Sequence, residues 1–178
     1  MNQAIGMTEI NGLPAHILLI HLVVIGIPLA ALLTILSAVW PAARRRLGII
    51  TPIVALGALI MVPITTNAGE WLQARVYQGF TNPSIVRHAE LGDELLPWAI
   101  GLLVLAALAW GLPVLAARPG AAAALGSMGA RIGVGVLAVA IGAVATVQVY
   151  RIGDAGAKAA WGTSFCSQPY QGNTCPTS

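Results

Sequence analysis

Four long apolar runs divide this chain, and they constrain its fold more than any other feature of the sequence. Each is long enough to span the hydrocarbon core of a bilayer, which takes about 20 apolar residues. We place the spans at about 15–40, 47–65, within 83–117, and 132–150. Only 8% of the residues are charged, whereas soluble domains average about 25%. The sequence therefore predicts an all-α integral membrane protein, a four-transmembrane-helix bundle with no room for a separate soluble domain.

Charged residues are divided between the two ends of these spans. On one side lie all six acidic residues: Glu9, Glu70, Glu90, Asp93, Glu94 and Asp154. On the other side lie five of the nine basic residues: Arg44, Arg45, Arg46, Arg118 and Arg131. Short Arg-rich loops stay in the cytoplasm during insertion, so we expect a multi-pass protein of the bacterial plasma membrane with both termini extracytoplasmic. The net charge of +3 then follows from topology, and no nucleic acid partner is expected.

The segment before the first span contains no Lys or Arg. A cleavable signal peptide normally begins with a basic region. We therefore interpret the first run as a retained span.

Helices two and three are predicted to extend beyond the outer surface. Residues 67–76 are polar but include good helix formers, so the second helix should continue past the bilayer. Asn82 and Pro83 are typical of a helix start. A helix over 83–117 would be roughly 50 Å long, against a hydrocarbon core of about 30 Å. Its first turns should therefore stand outside.

The segments that flank the last span are predicted to be a loop before it and a short helix after it. Residues 118–131 are rich in small side chains and are predicted to form a loop. Glycine commonly follows a helix C-terminus, so Gly153 and Gly156 should end span four. Asp154 would then cap a short following helix, which Trp161 anchors at the interface.

The chain is divided into a four-helix transmembrane domain, 1–161, and an extracytoplasmic tail, 162–178. The tail carries the only two cysteines of the chain, Cys166 and Cys175. Disulfides persist outside the cytoplasm, so a bridge between them is predicted. The alternative, a metal site, is weaker because two thiols without a nearby His make half a zinc site at best.

A stripe of small residues marks one face of span four: Gly135, Ala138, Gly142 and Ala145. Small residues at this spacing let a neighbouring helix approach closely. We interpret the stripe as packing inside the bundle. The interface of a homo-oligomer stays open as the alternative.

The three histidines are the residues best suited to hold a cofactor. His16 and His21 are five positions apart on span one, roughly 140° around a helix, so only one of them should point into the bundle. His88 belongs to the outer part of helix three and could meet His16. Two imidazoles from different helices can hold haem b between them. A structural, hydrogen-bonded role for each histidine is the alternative.

Other polar residues are expected to form a cluster at the outer mouth of the bundle: Glu70, Arg87, Glu90, Asp93 and Asp154. Asp154 could pair there with Arg87 or His88, as an alternative to its capping role. A metal site that combines His88 with nearby carboxylates, from Glu90, Asp93 or Glu94, is also conceivable. No charged residue lies at mid-bilayer, which disfavours a solute transporter. No phosphate-binding loop, nucleophile elbow or CxxC motif is present, so a stand-alone enzyme is not expected.

Several segments together resemble an uncharacterised family of four-helix bacterial membrane proteins, classed as a domain of unknown function. They are residues 13–22, 69–72, 86–93 and 149–161, and their order and spacing carry the resemblance. Members are common in actinobacteria, and some are fused to a Rieske iron–sulfur domain. The resemblance thus implies electron transfer near the outer membrane surface.

The resemblance also implies particular residues. The recurring histidines of the family correspond to His16, His21 and His88, and its recurring acids to Glu70 and Asp154. The chain departs from the commoner pattern in having Ile17 where many members have proline, and it carries no iron–sulfur domain. A separate redox partner would have to supply that part.

Three functional hypotheses result. The first is a membrane protein associated with electron transfer, which either binds haem b or serves as an accessory subunit of a respiratory or other redox complex. The second is a purely structural membrane subunit without a cofactor. The third, disfavoured by the absence of mid-membrane charges, is a small-solute transporter.

Overall fold

The computed structural model of the chain describes residues 8–76, 82–120, 126–162 and 165–166. A short hairpin of two strands, β1 (Glu9–Ile10) and β2 (Leu13–Pro14), precedes the helices. Its turn places Asn11 and Gly12 at φ of 52° and 76°, which is the left-handed conformation that an Asn-Gly hairpin turn requires. The helices follow in chain order: α1 (Ala15–Val39), α2 (Pro41–Leu47), α3 (Ile50–Val76), α4 (Pro83–Asp93), α5 (Leu95–Ala116) and α6 (Met128–Trp161).

Four segments of this chain are long and apolar enough to cross a membrane: Ala15–Val39, Ile50–Val76, Pro83–Ala116 and Met128–Trp161. The third of them combines α4 and α5. Large apolar side chains cover their outward surface, for example Ile25, 65% exposed, and Val136, 62% exposed. Such a surface needs lipid rather than water around it. The predicted all-α, four-helix membrane architecture is confirmed.

The four spanning segments pack as a bundle in which α1 and α5 each contact both α3 and α6. Its centre contains Ile27 and Leu102, which are almost completely buried, among many alanines. The small-residue stripe of α6 is buried against α1: a Cβ on Gly142 would lie 3.2 Å from that of Ala31. The stripe therefore serves packing within one chain, as interpreted from the sequence.

The course of α6 corrects one expectation. The helix does not end at Gly153 or Gly156 but continues to Trp161, and Asp154 lies inside it instead of capping a new helix. Glycine inside a helix costs only about 1 kcal/mol relative to alanine. The segment after Ile152 is rich in alanine, which favours a helix, and Gly156 packs against the ring of His88. The helix also begins at Met128, within the segment predicted as a loop.

The expected continuous helix over 83–117 is interrupted at Glu94, between α4 and α5. Pro97 explains the interruption, because a proline ring clashes with the carbonyl group of the residue four positions earlier, here Asp93. The predicted extension of the second helix through 67–76 is present as the continuous last part of α3.

The helix ends sort the charges as expected from the sequence. The start of α1, the end of α3, the helix α4 and the last part of α6 meet at one end of the bundle, which we call the acidic end. All six acidic residues lie on these elements, on the hairpin or at the α4–α5 junction. Arg44 and Arg131 lie together at the opposite end, which we call the arginine end.

Candidate functional site

His16 links the start of α1 to the end of α3. Its Nδ1 atom donates a hydrogen bond to the carbonyl oxygen of Thr65 at 2.9 Å. The ring lies against Gly69, one turn further along α3, so closely that a Cβ there would come within 3.0 Å of it. A side chain at this position would therefore force the imidazole to shift by a few tenths of an ångström.

His88 makes the same arrangement with a different pair of helices. Its Nδ1 atom donates a hydrogen bond to the carbonyl oxygen of Ile152 in α6, also at 2.9 Å. Its ring lies against Gly156, where a Cβ would again come within 3.0 Å. Asn82 starts the helix that carries it, by accepting a hydrogen bond from the backbone N–H of Ser84.

The two rings meet inside the acidic end of the bundle. The centroids of His16 and His88 are 6.1 Å apart, and the ring planes are almost perpendicular, at 86°. The expectation that His88 could meet His16 is thus confirmed. Each histidine is held by a carbonyl oxygen and a glycine four residues apart on a neighbouring helix.

The hydrogen bonds determine the tautomers of the pair. A carbonyl oxygen can only accept a hydrogen bond, so Nδ1 carries the proton in both His16 and His88. In the neutral imidazole, Nε2 then carries the lone pair. This is the arrangement that prepares a histidine to bind a metal, because a backbone carbonyl on the other nitrogen fixes the ring and raises its basicity.

The histidine pair does not by itself complete the ligand set of a metal-ion site. Among the described residues, no group of three or more His, Cys, Asp or Glu side chains could hold a metal, while a closed zinc site needs four ligands. Haem requires only two axial ligands from the protein.

A buried polar atom beside the pair has no protein partner. The hydroxyl group of Thr65, whose carbonyl oxygen holds His16, is buried and makes no hydrogen bond within the described part of the chain. Buried hydroxyl groups are usually satisfied. The Thr65 hydroxyl group is one of two exceptions among the described side chains, the other being the Nε atom of Arg131.

His21 does not take part in this arrangement. It is exposed on the surface of α1, and its Nδ1 atom hydrogen-bonds to the carbonyl oxygen of Ile17, one turn earlier on the same helix. The prediction that His16 and His21 occupy different faces is confirmed.

The outer-mouth residues form local pairs rather than one cluster. Arg87 contacts Glu90 at 3.3 Å, with both side chains about half exposed. Asp154 pairs with Lys158 at 2.7 Å, so the alternative pairing of Asp154 with Arg87 or His88 is wrong. Both contacts join residues about one turn apart on the same helix, where side chains are neighbours on the helix surface. Glu70 and Asp93 are exposed.

A second polar network, not foreseen as a unit, joins α6 to the α4–α5 junction. The amide nitrogen of Gln148 donates to the carbonyl oxygen of Leu91 and to the carboxylate of Glu94, each at 3.0 Å. Arg151 donates in turn to the amide oxygen of Gln148 at 3.3 Å. The network satisfies backbone and side-chain groups where the third span is interrupted.

Of the two cysteines, Cys166 lies among the described residues and Cys175 lies outside them. The bridge between them therefore stays a prediction, as does the division of the chain at residue 162.

Comparison of the chain with models of known families, with curated proteins and with solved structures finds no match. The resemblance to the four-helix family described above thus stays an interpretation of the sequence. The functional proposal below depends on the geometry of the histidine pair.

Proposed function

We propose that this protein is a membrane haem protein that holds one haem b between His16 and His88 and exchanges electrons with a membrane redox partner. The observation that carries the proposal is the matched state of the two rings. They come from different helices, each has Nδ1 bound to a backbone carbonyl oxygen, and their centroids are 6.1 Å apart. Haem held by the protein supplies one-electron chemistry, tuned by its axial ligands.

The protein's own residues would prepare the site before the cofactor binds. The carbonyl oxygens of Thr65 and Ile152 hold the rings in one tautomer and orientation, which removes part of the ordering cost of ligation. Gly69 and Gly156 let the rings lie close to the helices that orient them. The surrounding bundle provides a low-polarity environment of the kind in which four-helix proteins hold cofactors.

The orientation of the bundle belongs to the same proposal. Because Arg-rich ends remain cytoplasmic, the acidic end would face outward from a bacterial plasma membrane, with both termini on that side. The histidine pair would then lie close to the extracytoplasmic surface, where a redox complex could approach it.

Absorption spectroscopy of protein extracted from native membranes tests the haem assignment. We expect a Soret band that is lost or strongly reduced in His16→Ala and His88→Ala variants. His21→Ala is the matched control, since it removes an imidazole from the same helix without touching the pair, and its spectrum should equal that of the wild type. A folded, colourless wild-type protein from haem-replete cells would contradict the proposal.

The second candidate function is a structural subunit without a cofactor. It is favoured by the fact that the same two hydrogen bonds tie α1 to α3 and α4 to α6. Under this alternative the protein is colourless and co-purifies with a membrane complex. The histidine variants would then lower stability without changing any absorption band.

A further inference from the structure

The arginine end contains a cavity that the proposed haem function does not use. It is an open cleft between the ends of α1, α2, α5 and α6. Two guanidinium groups, those of Arg44 and Arg131, line it together with aliphatic side chains such as Leu112 and Val134. The cavity thus combines two positive charges with an apolar wall.

Among the described residues, the two arginines have no negative partner. All six acidic residues of the chain lie at the opposite end of the bundle, and no ion pair of Arg44 or Arg131 is found in the described ranges. The Nε atom of Arg131 is buried and makes no hydrogen bond there. A buried donor atom without an acceptor is costly, so the Nε–H group of Arg131 has unused hydrogen-bonding capacity.

The local electrostatics increase that cost. Burial and the positive charges of Arg131 and Arg45 lower the pKa of Arg44, although a guanidinium stays protonated at neutral pH. Arg131 also lies in the first turns of α6, where the helix dipole is positive and a cation is disfavoured. A bound anion would relieve both effects at once.

We propose that this cavity binds the phosphate group of an anionic phospholipid. Guanidinium groups bind phosphate through paired hydrogen bonds, and basic pockets between membrane helices commonly hold acidic headgroups. The aliphatic wall suits the start of an acyl chain, and Leu108 at the cavity is exposed on the outward surface of a membrane-spanning segment. A lipid supplies a phosphate group for the two arginines and an acyl chain for the aliphatic wall, whereas a free anion supplies only the negative charge.

The test compares ligands on delipidated protein in a neutral detergent. Short-chain phosphatidylglycerol should raise the midpoint of thermal unfolding, and short-chain phosphatidylcholine, which has no net charge, should not. Inorganic phosphate is the third arm. If it stabilises as strongly as phosphatidylglycerol at equal concentration, the site is one for a free anion and the lipid proposal is overturned.

Variants assign the effect to the cavity. Arg44→Gln and Arg131→Gln should each weaken the apparent affinity for phosphatidylglycerol about tenfold or more, as expected for a lost charge-assisted hydrogen bond. Arg46→Gln is the matched control, because Arg46 is an exposed neighbour on α2, and it should bind as the wild type does. Equal weakening in all three variants would show nonspecific attraction to a basic surface and would overturn the proposal.

Loss of folding should not obscure the result. Removing one of two uncompensated positive charges relieves repulsion, so both cavity variants should unfold at or above the wild-type midpoint when no lipid is present. A large fall in that midpoint would mean that each arginine has a structural partner, which also contradicts the proposal.

Discussion

At the scale of single residues, two glycines let the histidine rings lie close to the helices that hold them. Gly69 and Gly156 stand where any side chain would press on an imidazole ring, since a Cβ at either position lies 3.0 Å from the nearest ring atoms. The rings have little freedom to retreat, because Nδ1 of each is bound to a carbonyl oxygen on the same helix as the glycine. The close packing of the two rings therefore depends on the absence of a Cβ at Gly69 and Gly156.

This dependence can be tested within one helix. Gly156→Ala should destabilise the protein by roughly 1–3 kcal/mol, the usual cost of overpacking, and should displace His88. Gly153→Ala is the control: its Cβ would meet nothing within 4 Å, so the better helix propensity of alanine should stabilise α6 by up to about 1 kcal/mol. Thermal unfolding in detergent, followed by circular dichroism, measures both. Similar changes in the two variants would argue against a close packing role for Gly156.

The sequence indicated His16 and His88 as partners, because both belong to the polar ends of long apolar helices. It could not indicate what holds them. Thr65 and Ile152 contribute only their backbone carbonyl oxygens, and any residue type has one. The prediction that Gly156 ends the helix is wrong. A glycine can end a helix or let a neighbouring side chain approach closely, and local sequence does not distinguish the two roles.

At the scale of elements, the long apolar runs predicted the spans well, whereas an interruption within a span was harder to predict. The hydrophobic length of α1 and α3 gave their positions to within a few residues, whereas the interruption at Glu94 follows from Pro97 by a steric rule that acts one turn upstream. The interruption is compensated from another helix, through the side chain of Gln148. Such a compensation depends on the packing of α6 and is visible only in three dimensions.

At the scale of the whole molecule, the distribution of charge gives the bundle two different ends. The acidic end holds the histidine pair, and the arginine end holds the cavity between Arg44 and Arg131. Short loops keep this separation, since neighbouring spans run in opposite directions and each end collects alternate connections. Under the two proposals, one chain would present a redox site to one side of a membrane and a lipid site to the other.

The orientation of these two ends is open to direct measurement. Single cysteines would be introduced by Glu90→Cys at the acidic end and Pro119→Cys at the arginine end, after Cys166 and Cys175 are replaced by serine. Both positions are exposed. By the positive-inside rule, a membrane-impermeant maleimide added to intact cells should label the first variant, and the second only after lysis. The reverse pattern would place the arginine end outside.

The central claim is that His16 and His88 ligate the same haem, and electron paramagnetic resonance of the oxidised, purified protein tests it most directly. With two imidazole ligands on one iron, the account predicts a low-spin ferric signal and one haem per chain. His16→Ala and His88→Ala should each convert any retained haem to a high-spin form. A low-spin signal that persists in either variant, or a folded wild-type protein without haem, would contradict the account.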